Sequence, residues 1–218
     1  MAFAVAIDGP AASGKGTLAA RLGEALGLPV LDTGLLYRAL AAAVIAGGGD
    51  LDDAQACAAA ARTLDLSALA DPDLRSAAMG EAASRVAVHG AARAAIVEIQ
   101  RAFAAREPGA VLDGRDIGTV ILKDADAKLF VTASIETRAR RRWREARARG
   151  ESLSYEEVLA DIRRRDARDE GRDAAPLRPA PDAVLLDTTD LSIDAAFDAA
   201  RRIVEAARAR SGSTPKGA

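Results

Sequence analysis

Gly9-Pro10-Ala11-Ala12-Ser13-Gly14-Lys15-Gly16-Thr17 is the stretch that decides the fold. It directly follows an apolar run, Phe3 to Asp8, and precedes an amphipathic stretch carrying Leu18, Leu22 and Leu26. Strand, glycine-rich loop and helix in that order are the context in which G-x-x-x-x-G-K binds phosphate. The glycines let the backbone curl until its N–H groups converge on phosphate oxygens. The helix N-terminus adds partial positive charge, and Lys15 supplies a point charge. These nine residues predict a nucleoside triphosphate site.

Outward from the loop, four more short apolar runs end at or near a polar residue: Pro29 to Asp32, Ala110 to Asp113, Lys128 to Val131 and Ala183 to Asp187. They are too short for buried helices and are separated by alanine- and leucine-rich helical stretches. That rhythm predicts an α/β fold of three layers around a parallel five-stranded sheet, with ligands bound beyond the carboxyl ends of the strands. Two segments break it. Residues from about 51 to 93 read as small helices around Pro72, an insert at the sheet's edge. Residues from about 134 to 181 read as an arginine-rich helical pair, the first helix from Ile135 to Arg149 and the second opened by a capping box, Ser154 with Glu157. The core is then expected over about 1–50, 94–133 and 182–210, with a disordered tail at 211–218.

The chain has 218 residues, 50% hydrophobic and 28% charged, enough for one sizeable core. Its longest apolar stretches fall well short of the roughly 20 residues of a bilayer span. The N-terminus has no basic region before its apolar run, so it does not read as a secretory signal. A single cysteine, Cys57, and a single histidine, His89, argue against a disulfide framework and a zinc site, and a reducing cytoplasm fits both. For both residues a structural role is expected. With 30 basic and 32 acidic side chains the net charge is −2, so any anion site must be local. Only four of the basic residues are lysines, leaving 26 arginines. Codon bias accounts for their number but not for where they cluster.

A phosphate loop alone does not separate GTPases, motor ATPases and small-molecule kinases. There is no Asn-Lys-x-Asp for guanine and no strand ending in Asp-Glu. Instead, Leu31-Asp32-Thr33-Gly34-Leu35-Leu36-Tyr37-Arg38 turns out of the second strand, and Val111-Leu112-Asp113-Gly114-Arg115-Asp116-Ile117-Gly118-Thr119 turns out of a later one. Asp113 suits a water-mediated Mg²⁺ role, and Arg38 with Arg115 a clamp for a second phosphate. Arg165, Arg168, Asp169 and Arg172 are spaced to share one helix face. Like charges on one stripe repel unless anions visit, so mobile arginines closing over a migrating phosphoryl group are the expectation there. Arg138, Arg141, Arg142 and Arg144 crowd the partner helix, where a solvated face is an equal alternative.

Together with Ala82-Ala83-Ser84-Arg85-Val86-Ala87 and Arg165 to Arg172 followed by Ala175-Pro176-Leu177, these motifs resemble bacterial cytidylate kinase, a P-loop nucleoside monophosphate kinase, from Ile7 to about Ala207. The Gly-Lys-Gly-Thr ending of the loop is the variant found in nucleoside monophosphate kinases. The resemblance implies transfer of the γ-phosphate of ATP to CMP or dCMP with Mg²⁺, on a fold with a monophosphate-binding insert and a helical lid. Carried over, Gly9, Pro10, Ala11, Ala12, Ser13, Gly14, Lys15, Gly16 and Thr17 would hold ATP, with Thr17 and Asp113 near the metal. Arg38 and Arg115 would bind the CMP phosphate with Thr33 and Tyr37 nearby. Ser84, Arg93 and Asp116 would read cytosine, and Asp169 the sugar. Arg165 and Arg172 would close from the lid, acting with Lys15 and Arg115 in catalysis. Two departures bear on the insert: the stretch between Leu66 and Leu74 is short for the family's small antiparallel sheet, and His89-Gly90 stands where a proline is expected.

The chemistry is consistent with this. A phosphate oxygen is already ionised at pH 7, so no general base is needed. The competing expectations are a kinase for UMP, AMP or a sugar hydroxyl, and an RNA-binding protein using Arg138 to Arg149. Neither nucleic acid nor a membrane is the expected partner, and a monomer is the expected state.

Overall fold

The computed structural model describes residues 2–172 and 174–213. In chain order the elements are β1 (Phe3–Asp8), α1 (Lys15–Leu26), β2 (Val30–Asp32), α2 (Thr33–Ala46), α3 (Ala54–Arg62), α4 (Ala77–Val86), α5 (Gly90–Ala104), β3 (Gly109–Gly114), β4 (Ala127–Thr132), α6 (Ile135–Ala148), α7 (Tyr155–Glu170), β5 (Val184–Asp187) and α8 (Ile193–Ser213). Short 3₁₀ turns at Leu66–Ala70 and Pro72–Arg75 fill the stretch before α4, and a π-helical turn, Ile117–Ile121, follows β3. All five expected strands are present, and α8 extends to Ser213; the rest of the expected tail, 214–218, lies outside the described residues. No helix among the described residues is long and apolar enough to cross a membrane.

The chain divides into two compact units. The first comprises the described residues up to Leu31, Arg101–Ser134, and those from Leu177 onward. Its parallel sheet has the strand order β2-β3-β1-β4-β5, with β1 central. The register runs from Phe3↔Gly109 to Asp8↔Gly114 on one side of β1 and from Val5↔Ala127 to Asp8↔Phe130 on the other. Phe3, Val5, Ile7, Leu129 and Val131 alternate along β1 and β4, so they share one face of the sheet. They pack there with Leu18 and Leu22 of α1 and Ala196, Ala200 and Val204 of α8. Small residues along α8 let that helix lie close, and Leu22 and Ile7 are fully buried.

The second unit comprises Asp32–Gln100 and Ile135–Pro176 and is helical apart from its turns. Four of its helix starts have a local cause. Asp32 caps α2 by accepting from the Leu35 N–H, Asp53 caps α3, and Ser76 caps α4 by accepting from Met79. At α7 the capping box forms in full, Ser154 and Glu157 each accepting from the other's backbone N–H. The buried Arg138 makes a two-pronged ion pair with Asp166, at 3.1 and 2.7 Å, which ties α6 to α7. Trp143 adds a hydrogen bond to the Leu153 carbonyl. This accounts for one of the crowded α6 arginines without any solvent face.

Candidate active site

In the first unit the phosphate loop passes through left-handed backbone at Gly9 (φ 149°), Ala12 (φ 59°) and Gly14 (φ 93°), a curl that gathers successive N–H groups into a concave anion cradle. At Gly9 no other residue fits, because a Cβ there would lie 1.9 Å from the Val131 carbonyl oxygen. Lys15 opens α1, is buried, and folds back to donate to the Pro10 carbonyl at 3.1 Å. Thr188, after β5, braces the loop by donating to the Ser13 carbonyl at 3.1 Å. The cradle and the positive end of α1 therefore coincide.

Asp113 and Asp116 on the turn after β3 are both buried. Asp113 faces the first turn of α1, its Oδ2 lying 4.0 Å from where a Cβ on Gly16 would stand. With Thr17 on that turn this makes a donor set of oxygens only, which suits Mg²⁺, an ion that keeps several waters and takes few protein ligands. Among the described residues no group of three or more His, Cys, Asp or Glu could hold a metal without such help. Arg115 turns back on its own loop and donates to the Gly114 carbonyl at 3.3 Å.

Asp8, at the end of β1, received no role from the sequence. Its Oδ1 accepts from the Ile117 N–H at 2.7 Å and its Oδ2 from the Gly118 N–H at 2.8 Å. Burial pushes its carboxyl up to about 6, opposed by those two hydrogen bonds and by Lys15, and helped by the charge of Asp116. The available signal was its place at a strand end beside the phosphate loop.

The second unit brings arginines from three helices onto the first turn of α4. Arg38 of α2 donates to the carbonyls of Leu74 (2.5 Å) and Ser76 (3.0 Å), and Arg142 of α6 donates to the same Ser76 carbonyl (3.3 Å). A Cβ on Gly80 would meet Arg38 Nη2 at 3.0 Å and Arg165 Nη1 of α7 at 3.1 Å, so the glycine's bare face is where these two guanidinium groups converge. Gly80 was also missed, although a glycine inside an alanine-rich helix is costly enough to be a signal. Thr33 is buried at the start of α2, and the Arg93 guanidinium stands 5.9 Å from the Tyr37 ring centroid.

The rest of the α7 stripe departs from expectation. Arg168 binds Glu81 at 2.9 and 3.3 Å and donates to the Ser84 hydroxyl at 2.8 Å, while Arg172, which lies past the end of the helix at Glu170, pairs with the buried Asp169. Carboxylates of the protein, not visiting anions, relieve much of the repulsion inferred from arginine spacing alone. Cys57 and His89, for which a structural role was expected, share one partner. The Nε2 of His89 lies 2.9 Å and the Cys57 thiol 3.5 Å from one acceptor, the Leu51 carbonyl.

Comparison with known proteins identifies the family. The sequence pattern of the cytidylate kinase family matches residues 5–206. A cytidylate kinase of Caulobacter vibrioides is 61% identical over 210 residues, covering 96% of this chain and 99% of that one. One from Xanthobacter autotrophicus is 63% identical over 205 residues, covering 94% and 98%. A solved structure from Eubacterium ventriosum, described as an uncharacterized protein, shares the fold at a TM-score of 0.53 and 15% identity, covering 93% of this chain and 98% of its own. Matched along nearly its whole length, with the phosphate loop and the arginine-lined helices inside the matched span, this chain belongs to the cytidylate kinase family.

Proposed function

We propose that this chain transfers the γ-phosphoryl group of ATP to CMP or dCMP, giving ADP and CDP or dCDP. The observation that carries the proposal is the gathering of Arg38, Arg142 and Arg165 around α4, in a chain that also carries a separate phosphate loop accounting for a nucleoside triphosphate. A hydrolase would need only the loop; a second cluster of cations fits an acceptor that itself carries phosphate.

Residues 9–17 hold the ATP phosphates, with Lys15 directed at the group that moves. Arg38 and Arg115 bind the CMP phosphate with Thr33 and Tyr37, while Ser84, Arg93 and Asp116 read the base and Asp169 the sugar. An ionised phosphate oxygen of CMP attacks the γ-phosphorus as the bond to the β,γ-bridging oxygen breaks, and ADP leaves with that electron pair. Negative charge spread over the migrating group is met by Lys15, Arg115, Arg165 and Arg172, so positioning and charge neutralisation supply the catalysis. Thr17 and Asp113, the latter partly through water, would hold Mg²⁺, which neutralises phosphate charge when bound. The segment at about 51–93 serves as the monophosphate-binding insert and that at about 134–181 as the lid. Cytoplasmic location and a monomeric state complete the proposal.

The test is a coupled assay of ADP release across CMP, dCMP, UMP and AMP. Turnover with CMP and dCMP well above UMP and AMP is expected. AMP or UMP turned over as well as CMP would overturn the acceptor assignment.

A further inference from the structure

We propose that Asp8 is a positioning residue, a buried carboxylate strut that holds the Gly114 to Thr119 loop, and with it Arg115 and Asp116, in the geometry that binds the monophosphate. The inference rests on the role given above to that loop. Asp8 is only 3% exposed and ends the central strand, which is paired on both sides. Each of its two oxygens accepts one backbone N–H, from Ile117 and from Gly118, the residues immediately after Asp116. The fit is close: a Cβ on Gly118 would stand 3.3 Å from Asp8 Oδ2 and 3.2 Å from Cδ of Lys128.

Retaining an ionisable group in this place is costly unless its charge is used. A carboxylate accepts at both oxygens, whereas a protonated acid or an amide presents a donor to one of two donors and loses a bond. The groups facing Asp8 set when that happens. Asp116 on the loop disfavours its charge, Lys15 on α1 favours it, and burial outweighs the hydrogen bonds, placing the carboxyl at about 6. Of the other charged groups on the packed elements, Asp113 faces Gly16, Arg115 donates to Gly114, and Lys128 on β4 is paired with Asp182. The loop should therefore be held above pH 6 and slackened below it. Phosphate of CMP itself titrates near pH 6, so a pH–rate profile alone would confuse enzyme with substrate.

The experiment compares the ligand-free wild type and Asp8→Asn by amide NMR from pH 5 to 8, followed by kinetics at pH 8. Ile117 and Gly118 amides are expected to move together with a midpoint near 6 in the wild type and to stay flat in the variant. The KM for CMP should rise about tenfold, the loss of one hydrogen bond to a charged group, while the KM for ATP changes little. Amides that fail to titrate, an unchanged KM for CMP, or an equal rise in both KM values would overturn the strut. Should Asp8→Asn not fold, Gly118→Ala replaces it, since its Cβ crowds the same carboxylate and predicts the same split between the two KM values. A wild type inactive on CMP would sink the proposed function instead, leaving the amide titration to decide the strut.

Discussion

Gly80→Ala separates stability from catalysis in one substitution. Gly80 lies inside α4, where glycine is less favourable than alanine by about 1 kcal/mol, so the helix itself should gain. The new methyl would sit 3.0 Å from Arg38 Nη2 and 3.1 Å from Arg165 Nη1, tighter than an ordinary contact of about 3.5 Å. Both atoms end flexible side chains, so relief costs little energy but moves each guanidinium by a few tenths of an ångström. Misplacing catalytic groups by about 1 Å can cost about a hundredfold, so a shift of that size should lower kcat/KM for CMP by roughly threefold to tenfold. Meanwhile the melting temperature should hold or rise by about 2–4 °C. Thermal melts and the coupled ADP assay read the two effects on the same sample. A variant that is more stable and fully active would refute the claim that Arg38 and Arg165 act together over Gly80.

Lys15→Ala should abolish transfer while leaving the melting temperature within a few degrees of wild type; wild-type turnover would remove the phosphate loop from the chemistry. Arg165→Ala should lower kcat more than it raises the KM for CMP, as expected of a group that acts mainly in the transition state, and steady-state kinetics tests this directly. Asp116→Asn should shrink the ratio of kcat/KM for CMP over UMP, because a carboxylate accepts from the amino group of cytosine and repels the carbonyl of uracil, whereas an amide serves either. Asp8 binds its proton more tightly folded, at about 6, than unfolded, at 3.8, so its contribution to stability is fully present below pH 4 and lost as pH rises through 6. That difference is worth about 3 kcal/mol, and urea melts of wild type and Asp8→Asn at pH 4 and 7.5 should show the wild type losing ground by that order relative to the variant.

What could be read in the sequence was what repeats or sits at fixed spacing. The five strands, the phosphate loop after β1 and the capping box at Ser154 depend on local pattern, and each stands where the pattern places it. The partners of the arginines could not be read. Arg168 reaches Glu81 and Ser84 across 87 and 84 residues of chain, and Arg138 reaches Asp166 across 28. Helical spacing put Arg165, Arg168 and Arg172 on one stripe and implied repulsion, but spacing within a helix carries no information about carboxylates arriving from elsewhere. Gly80 was overlooked for the same reason, since its use lies in side chains from α2 and α7 that converge only after folding.

The strand ends show why a general rule about ligand crevices needs the hydrogen-bond inventory to become specific. Four strands end at or beside an aspartate, Asp8, Asp32, Asp113 and Asp187, of which only Asp113 was expected near the metal. Asp32 caps α2 through the Leu35 N–H, and Asp187 accepts from the N–H and the hydroxyl of Thr189. Asp8 divides its oxygens between two amides of one loop. A carboxylate engaged in this way is oriented by the backbone it binds, and turning it toward an ion would leave buried N–H groups unsatisfied. Asp113 faces the first turn of α1, its Oδ2 lying 4.0 Å from where a Cβ on Gly16 would stand, one residue before Thr17. Similar residues at similar positions thus divide into two helix or turn caps, one loop strut and one candidate ligand, and the division follows from which donors the neighbouring backbone presents.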